Sequence, residues 1–313
     1  MANGEGRGHQ RGRGVAGESG RGGGCVAVIP AYLAADTIAA TLCSLGSHAG
    51  SLVRRTLVVV SPGDETAVIA KRFEGVEVLE LERRLEAGEA RNLGRERAGR
   101  CDYLLFLDAD CRVEAGTVET LFESLGEDGL GAVCARVLGE GGGVVGWLRH
   151  ALEFKEVDVS APGGRAEFLP STCLLCRAGA FDRAGGFPRI WPGEDLVLSW
   201  HMRECGYGLR IDRTARVFHR HPQGFATMLR HQYRLGRGSA RARLLTGMRG
   251  VFFARHPLLG CFLLAGRAFR GLAWFVRFRP AEIGLFLLLF PLYIAGLAVW
   301  TSGFVAGSLA EAA

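Results

Sequence analysis

The chain has 313 residues, 48% of them hydrophobic and 22% charged, and a net charge of +6. That length holds one large domain or two with an ample core. The charge is uneven: residues 213–281 carry fourteen Arg and no Asp or Glu, whereas the body before them is net acidic. An acidic body with a basic collar excludes a general nucleic-acid binder, whose positive face belongs on the fold itself, so no nucleic-acid partner is expected.

Residues 1–24 are Gly, Arg and polar residues with almost nothing to bury, and they read as a disordered tail without an apolar leader. Cys25 to Tyr32 reads as a strand that Pro30 closes, because proline cannot donate to a ladder. Asp36 to Leu45 has helical character, with Asp36 or Thr37 at its start. Thr56–Val60 is a second strand, followed by the turn Ser61-Pro62-Gly63-Asp64. Ala67–Phe73 reads as a short helix and Val76–Leu81 as a third strand. Gly88–Ala98 reads as a helix with its mixed charges in solvent. Tyr103-Leu104-Leu105-Phe106-Leu107 is an apolar run of the kind found in buried parallel strands. This alternation predicts an α/β fold with a doubly wound, Rossmann-like sheet.

The second half is less regular. Gly116–Leu125, Trp147–Val157 and Phe181–Pro188 read as helices, and Ala132–Leu138, Ala166–Cys176 and Leu209–Phe218 as strands. Trp191-Pro192-Gly193-Glu194-Asp195 leads into a helix, Leu196–Cys205. Cys173 and Cys176 have Cys-x-x-Cys spacing inside an apolar stretch, which favours core packing over metal or redox chemistry. The nine Cys read as reduced thiols.

Ile283–Val305 has no charge for 23 residues, enough at about 1.5 Å per residue to cross a roughly 30 Å hydrocarbon core. Residues 282–306 are read as a transmembrane helix and 307–313 as a short tail. Pro257–Gly266 is apolar but shorter, and Arg267, Arg270, Arg277 and Arg279 follow it. It reads as an interfacial helix in a basic juxtamembrane segment, 222–281, whose Arg side chains meet membrane lipids. The positive-inside rule puts the preceding body in the cytoplasm, at the cell membrane.

Asp108 and Asp110 end the central apolar strand, where the ligand crevice of an open α/β sheet lies. Two carboxylates one residue apart are uncomfortable together without a cation, and a hard divalent ion is their natural partner. A strand-end turn is the plain alternative for the Asp pair. A helix N-terminal pair is the alternative for Glu194 and Asp195, and a surface feature the one for His219-Arg220-His221.

Four stretches in order carry a resemblance: Val28-Ile29-Pro30-Ala31-Tyr32, Glu89-Ala90-Arg91-Asn92-Leu93-Gly94, Asp108-Ala109-Asp110 and Gly193-Glu194-Asp195. With Gly185-Gly186-Phe187 they resemble the family 2 glycosyltransferases of the GT-A fold, over roughly residues 25–221. The resemblance implies a mixed sheet with a nucleotide-binding half. It also implies inverting transfer of a sugar from a nucleotide-diphosphate sugar to an acceptor hydroxyl, with Mg²⁺ or Mn²⁺ as cofactor. The loop Pro30-Ala31-Tyr32 would hold the base, with Asp64 orienting it and Arg91 near the diphosphate or base. Asp108 would face the ribose or metal, Asp110 would bind the metal, and His219 would complete its shell or contact a phosphate. Asp195 would be the general base, and Glu194 would hold the acceptor or the loop.

The family's acidic pair after the second strand is replaced here by Ser61-Pro62, so the donor base is left open. Gln232-Tyr233-Arg234 resembles part of an element of processive members but lacks its Trp, which favours single addition. The acceptor is unassigned; a lipid-linked or membrane-near molecule suits the collar. The competing readings are a non-catalytic nucleotide-sugar scaffold, a nucleotidyltransferase, and an RNA contact through the Arg-Gly tail. The first expects loss of Asp110 or Asp195, and the second expects a Gly-rich basic loop after strand one.

Overall fold

The computed structural model describes residues 24–158, 164–221 and 224–311. The disordered-tail reading of residues 1–23 and the last residues, 312–313, lie outside that range. Eight strands form one mixed sheet: β1 (Cys25–Ala31), β2 (Val53–Val60), β3 (Val76–Glu80), β4 (Tyr103–Leu107), β5 (Cys111–Val113), β6 (Leu130–Glu140), β7 (Cys173–Arg177) and β8 (Gly208–Arg220). Their order is β3-β2-β1-β4-β7-β6-β8-β5. The half containing β3, β2, β1 and β4 is parallel, β7 runs antiparallel to both β4 and β6, and β8 is parallel to β6. This is the expected α/β mixed sheet.

The helices are α1 (Ile38–His48), α2 (Thr66–Ala70), α3 (Ala87–Ala98), α4 (Thr117–Leu125), α5 (Gly143–Glu153), α6 (Lys155–Asp158), α7 (Ala178–Arg183), α8 (Glu194–Glu204), α9 (Phe225–Thr246), α10 (Val251–Arg255), α11 (Gly260–Phe278) and α12 (Ile283–Ala310). Leu104, Leu105, Phe106 and Leu107 of β4 are wholly buried, as a strand covered on both faces requires. Helix α3 packs closely on β1 because Gly94 has no side chain; a Cβ there would lie 2.2 Å from Val28 Cγ1.

Several boundaries differ from the sequence reading. Strand β1 continues through Pro30, which pairs with Val59 of β2; the ladder to β4 already ends at Val28, so no donor is missed on that side. The strand expected over Ala166–Cys176 is ordered as β7 only from Cys173. Strand β5 has no counterpart in the sequence reading, since three residues carry too little pattern.

The C-terminal part differs most. The apolar helix expected to stop near Gly266 runs on as α11 to Phe278, with the Arg267 guanidinium 4.0 Å from the centre of the Trp300 ring. Two helical stretches, Pro257–Phe278 and Pro280–Ala310, are long and apolar enough to cross a membrane. Helix α12 packs along α9 by backbone contact: a Cβ on Gly236 would sit 1.9 Å from the Trp300 carbonyl oxygen, and one on Gly303 would sit 2.0 Å from that of Tyr233. A second core, with Leu148, Leu152, Met228, Phe275, Phe286, Tyr293 and Leu297, joins α5, α9, α11 and α12.

Candidate active site

The carboxyl ends of β1 and β4 open into a cleft of about 820 Å³, within the usual range for a ligand site. Its floor is the turn after β4. There the Asp108 N–H donates to the Thr172 carbonyl at 3.0 Å, and the Cys111 N–H returns to the Asp108 carbonyl at 3.1 Å. Thr41 Oγ1 fixes the middle of the turn by donating to the Ala109 carbonyl at 2.9 Å. Strand β5 pairs Cys111 with His219 of β8, which sets the imidazole beside the Asp pair.

His219 Nε2 lies 3.5 Å from Asp110 Oδ1. One donor atom from each of Asp108, Asp110, Cys111 and His219 lies within 4.8 Å of all the others. Burial and the Asp108 charge push the Asp110 carboxyl up, against the pull of His219. Burial holds the Cys111 thiol well above its ordinary value, so it stays protonated and ligates poorly. The two carboxylates and the imidazole suit a hard divalent ion; the thiol does not.

His219 and His221 are both buried, with their Nδ1 atoms 3.3 Å apart and Phe154 packed against both rings. Burial, with the neighbouring His219 and Arg149 charges, drives His221 down to about 2, so it is neutral.

Across the cleft, Gly193 (φ +113°) turns the chain into α8, and Glu194 and Asp195 occupy its first turn. Burial first, and the adjacent Glu194 charge second, raise Asp195 to about 7. Burial also raises Glu194, while the Arg91 guanidinium opposes it. Arg91 is buried, donating to Asp108 at 2.5 Å and to Glu194 at 3.3 Å. The expectation that charges on α3 face solvent fails at this residue, because Arg91 alone of them points under the cleft between two carboxylates.

Pro30, Tyr32, Arg91, Asp108, Asp110, Glu194, Asp195 and His219 all line the cleft. Ala31 and Asp64 do not. Ala31 is buried, and its carbonyl accepts the Ser61 N–H at 2.9 Å. Asp64 accepts from the Ala35 and Thr66 N–H groups, each at 3.0 Å, and so ties the turn after β2 to the loop after β1. Those bonds, together with the Thr66 hydroxyl, hold its carboxyl low against the effect of burial. Asp64 thus braces the loop that carries Tyr32 and lies outside the cleft.

Sequence reasoning missed most of the far wall, which comes from α5, α9, α11 and α12. Glu153 is held there by Arg149 at 3.1 Å and by Gln232 Nε2 at 2.8 Å. His231, Ser239, Arg243, Arg267 and Trp300 complete that wall. Gly238 lets α9 touch the loop before α8, since a Cβ there would lie 1.7 Å from the Pro192 carbonyl oxygen. Two stretches carried a readable signal for this wall: the Arg149-x-x-x-Glu153 spacing within a candidate helix, and Gln232-Tyr233-Arg234, whose Gln232 holds Glu153.

Two curated relatives, the pre-mycofactocin glycosyltransferases of Mycobacterium tuberculosis strains CDC 1551 / Oshkosh and ATCC 25618 / H37Rv, are 27% identical over 212 residues. The match takes in 64% of this chain but only 43% of each relative's length. Among solved structures, the mannosyltransferase PcManGT from Pyrobaculum calidifontis, in complex with GDP-Man and Mn²⁺, superposes with a TM-score of 0.60 at 17% identity, over 92% of this chain and 86% of that one. GalNAc-T7 with UDP, GalNAc and Mn²⁺ superposes with a TM-score of 0.53 at 18% identity, over 64% and 44% of the two chains. Staphylococcus aureus TarS 1–349 gives 0.51 at 14% identity, over 92% and 91%. Residues 26–185, just over half of the chain, match glycosyl transferase family 2, and the chain belongs to that family.

Proposed function

We propose that the protein is an inverting glycosyltransferase that moves a sugar from a nucleotide-diphosphate sugar to an acceptor hydroxyl at the cytoplasmic face of a membrane. The observation that carries this reading is the placement of Asp195, a carboxyl raised to about 7, in the same cleft as the Asp108, Asp110 and His219 cluster. A general base works best with a pKa near the operating pH. Inversion needs one such base, acting on the acceptor from the side opposite the departing diphosphate.

In this reading Asp195 takes the proton from the acceptor hydroxyl as its oxygen attacks the anomeric carbon. Glu194 holds the loop through Arg91 and keeps the base in place. Pro30 and Tyr32 line the donor end, where the Tyr32 ring already carries Arg84 4.3 Å from its centre. Asp110 and His219, with Asp108, would hold a divalent cation, whose chemistry there is to stabilise charge on the leaving diphosphate. The wall formed by Gln232, Ser239 and Arg243 of α9 and Trp300 of α12 is the acceptor end, and α12 is one of the two helices apolar enough to meet a membrane. A lipid-linked or membrane-near acceptor fits that arrangement.

The test is calorimetric titration of the full chain with UDP, GDP and dTDP, with and without Mn²⁺, beside Asp110→Asn. Metal-dependent binding of one nucleotide by the wild type, lost in the variant, supports the reading and names the base. Well-folded protein that binds none of them overturns it. Proton NMR of the product's anomeric centre then decides inversion.

A further inference from the structure

Helix α12 is tied to the catalytic body at both ends. At its start the Trp147 indole N–H, on α5, donates to Glu282 Oε2 at 2.9 Å. At its far end Arg241 Nε of α9 meets Glu311 Oε1, also at 2.9 Å. Between them, a Cβ on Gly296 would lie 2.6 Å from Leu152 Cδ1, and one on Gly307 would lie 2.6 Å from the Arg237 carbonyl oxygen. The whole length therefore runs along α5 and α9.

A helix of 28 residues is about 42 Å long and could cross a bilayer. To do so here it would have to take α9 with it. That helix exposes Arg230, Arg234, Arg237 and Arg241, each costly in hydrocarbon. The contacts instead keep both ends of α12 on the side where the catalytic body lies.

The outward face is apolar and spans two helices. Leu258, Phe269 and Leu288 are 93%, 73% and 75% exposed, with Phe262 and Leu287 also open. Arg255, Arg270 and Arg277, in and just before α11, are exposed as well, and residues 213–281 hold no acid to offset them. An apolar surface with cationic side chains matches an anionic lipid surface, into which such helices sink at headgroup depth.

We propose that α11 and α12 are a monotopic anchor that lies in one leaflet of an anionic bilayer without crossing it. This deepens the membrane placement above and rests on it.

The test uses the full chain in sealed inside-out and right-side-out membrane vesicles. Single variants Ala281→Cys and Ala310→Cys, at either end of α12, are treated with a membrane-impermeant maleimide and read by peptide mass mapping. The exposed Cys43 marks the side of the catalytic body. Both new cysteines are expected to label from the same side as Cys43; labelling of position 310 from the opposite side overturns the proposal.

A second arm floats purified protein with phosphatidylcholine vesicles, alone or with phosphatidylglycerol. Binding is expected only with the anionic lipid, and at least tenfold weaker in Phe269→Glu/Leu288→Glu. Unchanged flotation of that variant overturns the proposal. So does a wild type that ignores vesicles and dimerises through this face. Nucleotide titration on the same samples separates the two readings, because protein that floats without binding any nucleotide sinks the transferase and leaves the anchor.

Discussion

Arg91 Nη1 and Glu194 Oε1 lie 3.3 Å apart, joining α3 to the first turn of α8 across 103 positions of sequence. Through its other nitrogen Arg91 also holds Asp108 at the end of β4. One buried guanidinium thus sets the spacing between the two carboxylate groups of the cleft. Removing one partner of a buried ion pair leaves an uncompensated charge and costs roughly 3–5 kcal/mol. Arg91→Met should lower the denaturant midpoint accordingly, and Arg91→Lys should recover only part of it, because the ammonium cannot fork to two carboxylates. An unchanged midpoint in Arg91→Met would show the triad to be solvated.

Asp195 has opposite effects on rate and on stability. In the proposed mechanism its ionised form is the base, so kcat should rise with pH through about 7, the value at which burial and Glu194 hold it, and then level off. Asp195→Asn should lose that limb and about 10²–10⁴-fold in kcat. For stability the folded value lies above the unfolded value, so the native state binds the proton more tightly. The resulting stabilisation is complete below about pH 4 and is lost as pH rises through 7. Asp195→Asn should therefore gain midpoint relative to wild type between pH 5 and pH 8. Parallel melting curves across that range would contradict the shift.

His219 can present Nε2 to a cation only if its proton sits on Nδ1, and the neutral His221 Nδ1 is placed 3.3 Å away to accept it. Partners that fix the orientation of a ligating imidazole are typically worth 10–100-fold in metal affinity. Mn²⁺ titration followed by electron paramagnetic resonance should show that loss in His221→Leu, with recovery in His221→Asn, whose Oδ1 can accept the same bond. His219→Ala should weaken Mn²⁺ at least as much. If it does not, His219 is no ligand, whatever His221 does.

The parallel half of the sheet and the Asp108–Asp110 turn were legible because their signals are local: apolar runs of strand length, closed by carboxylates. Asp195 was legible only as a member of an ordered set of motifs, and His219 only through the family resemblance that set carries. Arg91 was half-legible, since nothing in Glu89-Ala90-Arg91-Asn92 says that this charge turns inward between residues 17 and 103 positions away. Most of the far wall was unreadable for a related reason. Trp300 sits in a stretch whose composition reads as a membrane helix, and only its packing on α9 brings it to the cleft.

That packing rests on glycines, and they can be tested one at a time. A Cβ on Gly303 would lie 2.0 Å from the Tyr233 carbonyl oxygen, and backbone cannot swing aside as a side-chain tip can. Gly284, on the same helix, is exposed, and a Cβ there would meet nothing within 4 Å. Gly284→Ala should be neutral or raise the thermal midpoint, since alanine is favoured over glycine in a helix by about 0.5–1 kcal/mol. Gly303→Ala should cost roughly 1–3 kcal/mol of stability, as an overpacked contact does, lower the midpoint accordingly and expose α12 to limited proteolysis. It should also lower kcat, because Trp300 and the acceptor wall move with the helix. If both substitutions behave alike, α12 is not docked on α9, and the acceptor end of the cleft must be sought elsewhere.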